Sequence, residues 1–224
     1  MQSDRPTRLM LWVDGVGGYL VCLADSVVLG QPVWSTAPSG LALAGGNGVA
    51  AVSSRQNRRV RGPDVPILGD LHARHARLVR DGEAYLLEAI HSAMVDGQPV
   101  SRSTTLSDGS EITLGRNVRL RMRQPHALSS TARLELLGNR RTEPAADAVL
   151  LMSDACVLGP RSDCHVVCRR WTDEVVLSRR GGRLFCRVAG QYEVDGSTRS
   201  GRSEIGPKCR ISSESFSLSL EPVV

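Results

Sequence analysis

The sequence predicts an all-β fold of two β-sandwiches in tandem. Three observations predict it: frequent Asp-Gly turn signals, short apolar runs between them, and an internal repeat of both. The 224 residues are 41% hydrophobic, enough for one large domain or two small cores. Composition excludes global disorder and a collagen-like chain, and no apolar run approaches the roughly 20 residues of a membrane-spanning helix.

Asp-Gly occurs five times, at Asp14-Gly15, Asp81-Gly82, Asp96-Gly97, Asp108-Gly109 and Asp195-Gly196. Asp tolerates positive φ and Gly prefers it, so the pair suits tight turns that match strand twist. Apolar runs at 9–13, 19–23, 27–29 and 85–87 flank these turns. Two later segments alternate: Val118-Arg119-Leu120-Arg121-Met122-Arg123, and Phe216-Ser217-Leu218-Ser219-Leu220-Glu221. Period two gives each strand one apolar face. No stretch has a helical period, and many short strands between turns indicate sandwich or barrel architecture.

The turns also align the two halves. Val28-Leu29-Gly30-Gln31-Pro32 resembles Val157-Leu158-Gly159-Pro160, and Val95-Asp96-Gly97-Gln98 matches Val194-Asp195-Gly196-Ser197. Leu114-Gly115 matches Ile205-Gly206, each opening an alternating strand. The expected units are therefore residues 1–131 and 132–224. The first carries a Gly-, Ala-, Ser- and Arg-rich insertion near 35–66, too long for an ordinary structured loop and expected to be mobile.

The 28 basic residues exceed the 23 acidic ones, and all but Lys208 of the basic residues are arginine. The net +5 permits an anionic partner without demanding one. It is spread over both halves with no charged tail, so the arginine bias is read as gene composition rather than phosphate chemistry. The six cysteines lack the spacing of a secreted disulfide scaffold. Asp14 interrupts the N-terminal apolar run, so no signal peptide is expected. A reducing cytoplasmic setting with buried free thiols follows.

Over about 100 residues the first unit resembles a forkhead-associated (FHA) domain, the phosphothreonine-reading β-sandwich. The resemblance is carried by Gly30 at a strand end, then His72-Ala73-Arg74-His75-Ala76, Tyr85-Leu86-Leu87 and Val95-Asp96-Gly97. Leu106-Ser107-Asp108-Gly109-Ser110-Glu111-Ile112-Thr113-Leu114-Gly115 closes it and is its most specific block. For residues 132–224 the resemblance rests on the repeat, and that copy is degenerate. The resemblance implies structural roles for Gly30, His75, Gly97 and Gly115, with His75 buttressing a loop instead of touching ligand.

It also implies a phosphopeptide site, but most of its side chains are replaced. The arginine that grips phosphate stands as Gln31, the serine as His72 and the next arginine as Ala73. The asparagine that holds the peptide backbone aligns with His91. Gln31, His72, Arg74 and His91 are thus the candidate partner-binding residues. Losing Arg removes a charge and a bidentate fork, while histidines could restore charge when protonated, making binding pH-dependent. In the second unit Pro160 follows Gly159, and none of these side chains is retained.

The expected function is non-catalytic protein–protein interaction of the FHA type, phospho-independent or weakly phosphopeptide-binding, with a protein partner. One alternative is conventional phosphothreonine recognition in Ser/Thr kinase signalling. Another is nucleic-acid binding through arginine-rich faces: Arg119, Arg121 and Arg123, with Arg55, Arg58, Arg59 and Arg61. Those faces lack the interleaved aromatics of single-strand binders. No enzyme is expected, because nucleophile elbow, zincin and phosphate-loop motifs are missing. No cofactor, metal or membrane partner is expected either. The His72-x-x-His75 and Cys164-His165-x-x-Cys168 spacings, with Cys156 and Cys186 near the latter, are read as structural, zinc being the alternative.

Overall fold

The computed structural model describes residues 7–33, 62–126 and 129–223, which form twenty strands and no helix. An opening hairpin, β1 (Arg8–Val13) and β2 (Gly17–Cys22), leads to β3 (Ser26–Gly30), β4 (Val65–Pro66), β5 (Ala76–Asp81) and β6 (Ala84–Ala89). Then come β7 (Ala93–Val95), β8 (Gln98–Pro99), β9 (Ser103–Leu106), β10 (Glu111–Leu114) and β11 (Val118–Arg123). A second antiparallel pair, β12 (Ala132–Leu137) and β13 (Ala148–Leu151), precedes β14 (Ala155–Gly159), β15 (Val166–Val167) and β16 (Val175–Arg180). The chain ends with β17 (Arg183–Val194), β18 (Ser197–Ile205), β19 (Cys209–Ser212) and β20 (Ser217–Pro222).

The turn chemistry appears where the sequence places it. Asp96-Gly97 and Asp195-Gly196 both hold positive φ (50° and 78°, 50° and 77°), closing two-residue turns between β7 and β8 and between β17 and β18. Both alternating segments are strands with one buried face, β11 and β20.

Two sheets result. A five-stranded sheet has the order β4-β3-β5-β6-β9. A fifteen-stranded sheet runs β15-β14-β16-β17-β19-β20-β1-β2-β13-β12-β11-β10-β7-β8, with β18 on β17. This large sheet crosses position 131 without interruption. β11 pairs with β12, from Arg119↔Leu137 to Arg123↔Arg133, while the opening hairpin pairs with β20 at the other end of the chain. Between them β2 and β13 run parallel, Tyr19 opposite Ala148 and Cys22 opposite Leu151.

The centre of that sheet separates two cores. Leu20, Cys22, Val149 and Leu151 face the first, covered by the five-stranded sheet. Tyr19, Val21, Ala148 and Leu150 face the second, covered by β14, β16 and the first half of β17. Strands buried on both faces must be apolar at every position, which explains why Tyr-Leu-Val-Cys and Ala-Val-Leu-Leu do not alternate whereas β11 and β20 do. β17 serves both layers of the second core: its register on β18 shifts between Val188 and Gln191, after which it pairs with β19.

Polar braces cross the seam. Arg80 on β5 binds Asp25 and the Ser153 hydroxyl, while Arg179 on β16 donates to the Leu23 carbonyl. The Thr131 hydroxyl donates to the Ala155 carbonyl at 2.6 Å and accepts from the Ser153 N–H at 2.9 Å. All six cysteines are buried and unpaired. Burial pushes the thiols of Cys22, Cys156, Cys168, Cys186 and Cys209 up to about 12, so they are inert protonated core groups.

Most of the insertion, residues 34–61, including Arg55, Arg58, Arg59 and Arg61, lies outside the described residues. Its last two positions differ from the expected mobile segment. Val65 and Pro66 form β4, parallel to Leu29 and Gly30, and Val65 is buried. Pro66 has no N–H to give a ladder, but its carbonyl accepts from Glu143 at 3.0 Å.

Candidate functional site

The loops following β3, β4 and β6 meet at one corner of the first core. β3 ends at Gly30, and the 67–75 loop crosses directly over it. The Gln31 N–H donates to the His72 carbonyl at 3.0 Å, and the His75 N–H donates to Leu29 at 2.8 Å. A Cβ on Gly30 would stand 2.2 Å from the Ala73 carbonyl oxygen and 2.7 Å from that of His72. Only glycine permits this backbone-on-backbone crossing.

His75 organises the corner from beneath. It is 2% exposed; its Nδ1 accepts the His72 N–H at 3.3 Å, and its Nε2 lies 2.9 Å from the Ser92 carbonyl. An accepting Nδ1 assigns the proton to Nε2, which then donates to Ser92. The His75 carbonyl accepts from Ile90 and His91, and the Ser92 carbonyl also accepts from Gly115 at 2.9 Å. Gly115 has φ +58, and a Cβ there would lie 3.2 Å from the Asp70 carbonyl oxygen.

Above this frame the His72 and His91 rings stack, 3.6 Å between centroids and 13° from parallel. Gln31, His72, Arg74 and His91 are all exposed. Partial desolvation, then the neighbouring His72 and His75, hold His91 below the usual imidazole range. The structure therefore gathers His72, His91 and the Gln31 backbone over buried His75, with Arg74 exposed on the same loop. Gly97 does not join them; it lies in the turn beyond Val95, at the far end of β7.

Sequence reasoning missed Ser92, whose carbonyl ties His75 to Gly115. It acts through its backbone, so no side-chain signal marks it. Among the described residues no group of three or more His, Cys, Asp or Glu could hold a metal ion. Stacked imidazoles present parallel faces, not lone pairs converging on one centre.

The corresponding corner of the second core is built differently. β15 runs parallel to β14, and the Cys168 N–H donates to the Gly159 carbonyl at 2.7 Å. What approaches Gly159 most closely is side chain: a Cβ would stand 2.8 Å from Glu174 Cγ and 3.3 Å from Cys164 Sγ. Arg161 is held by Asp163 at 3.1 Å and Glu174 at 3.4 Å, and Asp173 accepts the Ser215 hydroxyl at 2.6 Å. Where residues 90–92 separate β6 from β7, β17 runs through, leaving no loop to carry a counterpart of His91.

The arginine stripe of β11 is largely neutralised. Arg119 and Arg121 bind Glu111 at 3.1 and 2.7 Å, and Arg123 lies 3.6 Å from Asp108. Those two arginines hold the Glu111 carboxyl below the usual carboxylate range.

No family model and no curated protein matches the sequence. The chain is similar to a solved structure described as "Rv0020c_FHA Structure", at 23% sequence identity and a TM-score of 0.25, covering 51% of this chain and 91% of that one. No helix among the described residues is long and apolar enough to cross a membrane.

Proposed function

We propose that this chain is a non-catalytic protein–protein interaction module of the FHA type, built of two such units and engaging its partner through the corner loops of the first. The observation that carries the reading is the rigid corner itself. Exposed Gln31, His72, Arg74 and His91 are carried by backbone locked through Gly30, His75 and Ser92. Binding residues on loops fixed by a sandwich are the usual division between scaffold and recognition.

Support for two units comes from pairing order. β4-β3-β5-β6-β9 parallels β15-β14-β16-β17-β18, and β8-β7-β10-β11 parallels β18-β17-β19-β20. In sequence the units are 1–131 and 132–224, but each completes its sheet with the hairpin that belongs to the other. The full chain is therefore the object to assay.

The site offers one permanent cation, Arg74, where a phosphothreonine carries close to two negative charges. Charge-assisted bonds contribute about 1.5–3 kcal/mol each, so weak or phosphate-independent binding is the expected mode. The ion-paired stripe on β11 argues against the nucleic-acid alternative, and the buried free thiols suit a reducing cytoplasmic setting.

A degenerate peptide library screened against the full chain, with and without phosphatase treatment, tests the reading. A sequence motif that persists after phosphatase and disappears in the His72→Ala, Arg74→Ala double variant is expected. Both side chains are exposed, so the variant keeps its near-UV spectrum. Capture unaffected by the double substitution would overturn the reading. A motif lost entirely on phosphatase treatment would restore the conventional phosphothreonine mode.

A further inference from the structure

We propose that anion recognition at this corner is proton-coupled: the stacked His72–His91 pair takes up one proton as an anionic group of the partner docks. This deepens the reading above and rests on it.

The geometry supplies the argument. Two imidazoles 3.6 Å apart and nearly parallel share one small volume, so a second proton would meet the first charge at contact distance. A charge on one ring therefore disfavours a charge on the other. Both rings are exposed, so an incoming anion can reach them. The third ring cannot take the proton without loss, because His75 uses Nδ1 to accept from His72 and Nε2 to reach Ser92.

The charged and titratable groups on the loops packed around the pair are few. Asp70, Arg74 and His75 accompany His72, Glu88 precedes His91, and Arg116 follows Gly115. Glu88 is occupied by Arg77 at 3.2 Å. Partial desolvation and then the neighbouring histidines hold His91 below the usual imidazole range, and Arg74 is the permanent charge on its loop. An anion reverses that balance by favouring the imidazolium. Linkage makes the effect reciprocal: whatever factor the anion adds to proton affinity, the proton adds to anion affinity.

The test uses the full chain and inorganic sulfate, which remains a dianion over the whole range, whereas a phosphate monoester titrates near pH 6. Imidazole Cε1–H resonances and sulfate affinity are followed by NMR at pH 5.5 and 7.5, at constant ionic strength against chloride. The expected result is sulfate affinity about tenfold higher at pH 5.5, matched by a rise of about one pH unit in the midpoint of His72 or His91. The His72→Gln, His91→Gln double variant should keep its fold and lose the pH dependence. Sulfate affinity that is absent or flat in pH, or that keeps its pH dependence in the double variant, overturns the coupling. Peptide capture retained alongside that result leaves the interaction reading standing. No capture at either pH overturns both.

Discussion

The corner around Gly30 and the corner around Gly159 close equivalent parts of two cores by different means. At Gly30 one backbone lies on another, a buried histidine bonds the crossing loop to a second loop, and the side chains above are left facing solvent. At Gly159 the cover is side chain, Glu174 and Cys164, and the charged groups are spent on one another. A parallel pair of short strands sets up both corners. What differs is whether the outer side chains are available to a partner.

Substitutions at the two glycines should break this comparison most sharply. Gly30→Ala forces two backbone segments apart, and a loss of about 3 kcal/mol or more is expected in denaturant unfolding. Gly159→Ala must displace side chain, Glu174 Cγ and Cys164 Sγ, but no crossing backbone, and a smaller loss of about 1 kcal/mol is expected. Equal costs would mean that the corners are closed alike.

Acid should separate the two cores next. His165, buried in the second, accepts from the Val157 N–H at 2.9 Å. Burial, then His126 and Arg133, hold its imidazole down at about 4. The unfolded chain binds a proton near pH 6.5 that the folded chain refuses until about 4. Stability should therefore fall as pH drops through that window, by on the order of 3 kcal/mol. His165→Gln should flatten the curve between pH 6.5 and 4; an unchanged curve would place the acid sensitivity elsewhere.

A smaller effect is expected at His75. His75→Ala leaves the His72 N–H and Ser92 carbonyl without their ring partner, and a cost of about 2 kcal/mol is expected. The same variant should release the His72–His91 stack, seen as sharpened and independent imidazole titrations by NMR. The smallest effect belongs to the β11 face. Glu111→Gln frees Arg119 and Arg121, and thermal unfolding should move less than for Gly159→Ala. Salt-sensitive capture of single-stranded nucleic acid by this variant, but not by the parent, would show that ion pairing masks a binding face.

Much of the fold was legible because its determinants are local. Asp-Gly pairs marked turns, and Val118 to Arg123 showed one apolar face because β11 has one. The unbroken run at Tyr19 to Cys22 marked a strand but not its partner, and the similar run at Ala148 to Leu151 went unremarked. Two-sided burial makes such runs apolar whichever strand lies alongside, so neither the parallel pairing of β2 with β13 nor the antiparallel pairing of β1 with β20 could be read from the sequence. For the candidate site, Gly30, His72, His75 and His91 were marked by the family resemblance. The stacking of His72 on His91 and the role of the Ser92 carbonyl depend on how three loops separated in sequence converge, which no single segment encodes.

Under the proposed function, the corner at Gly30 recognises a partner and the corner at Gly159 does not. Peptide-library capture by three full-length proteins tests it directly: the parent, the His72→Ala, Arg74→Ala variant, and the Arg161→Ala, Asp173→Ala variant. The first pair of substitutions is expected to abolish the selected motif and the second to leave it intact. Loss of the motif in the second variant with retention in the first would contradict it.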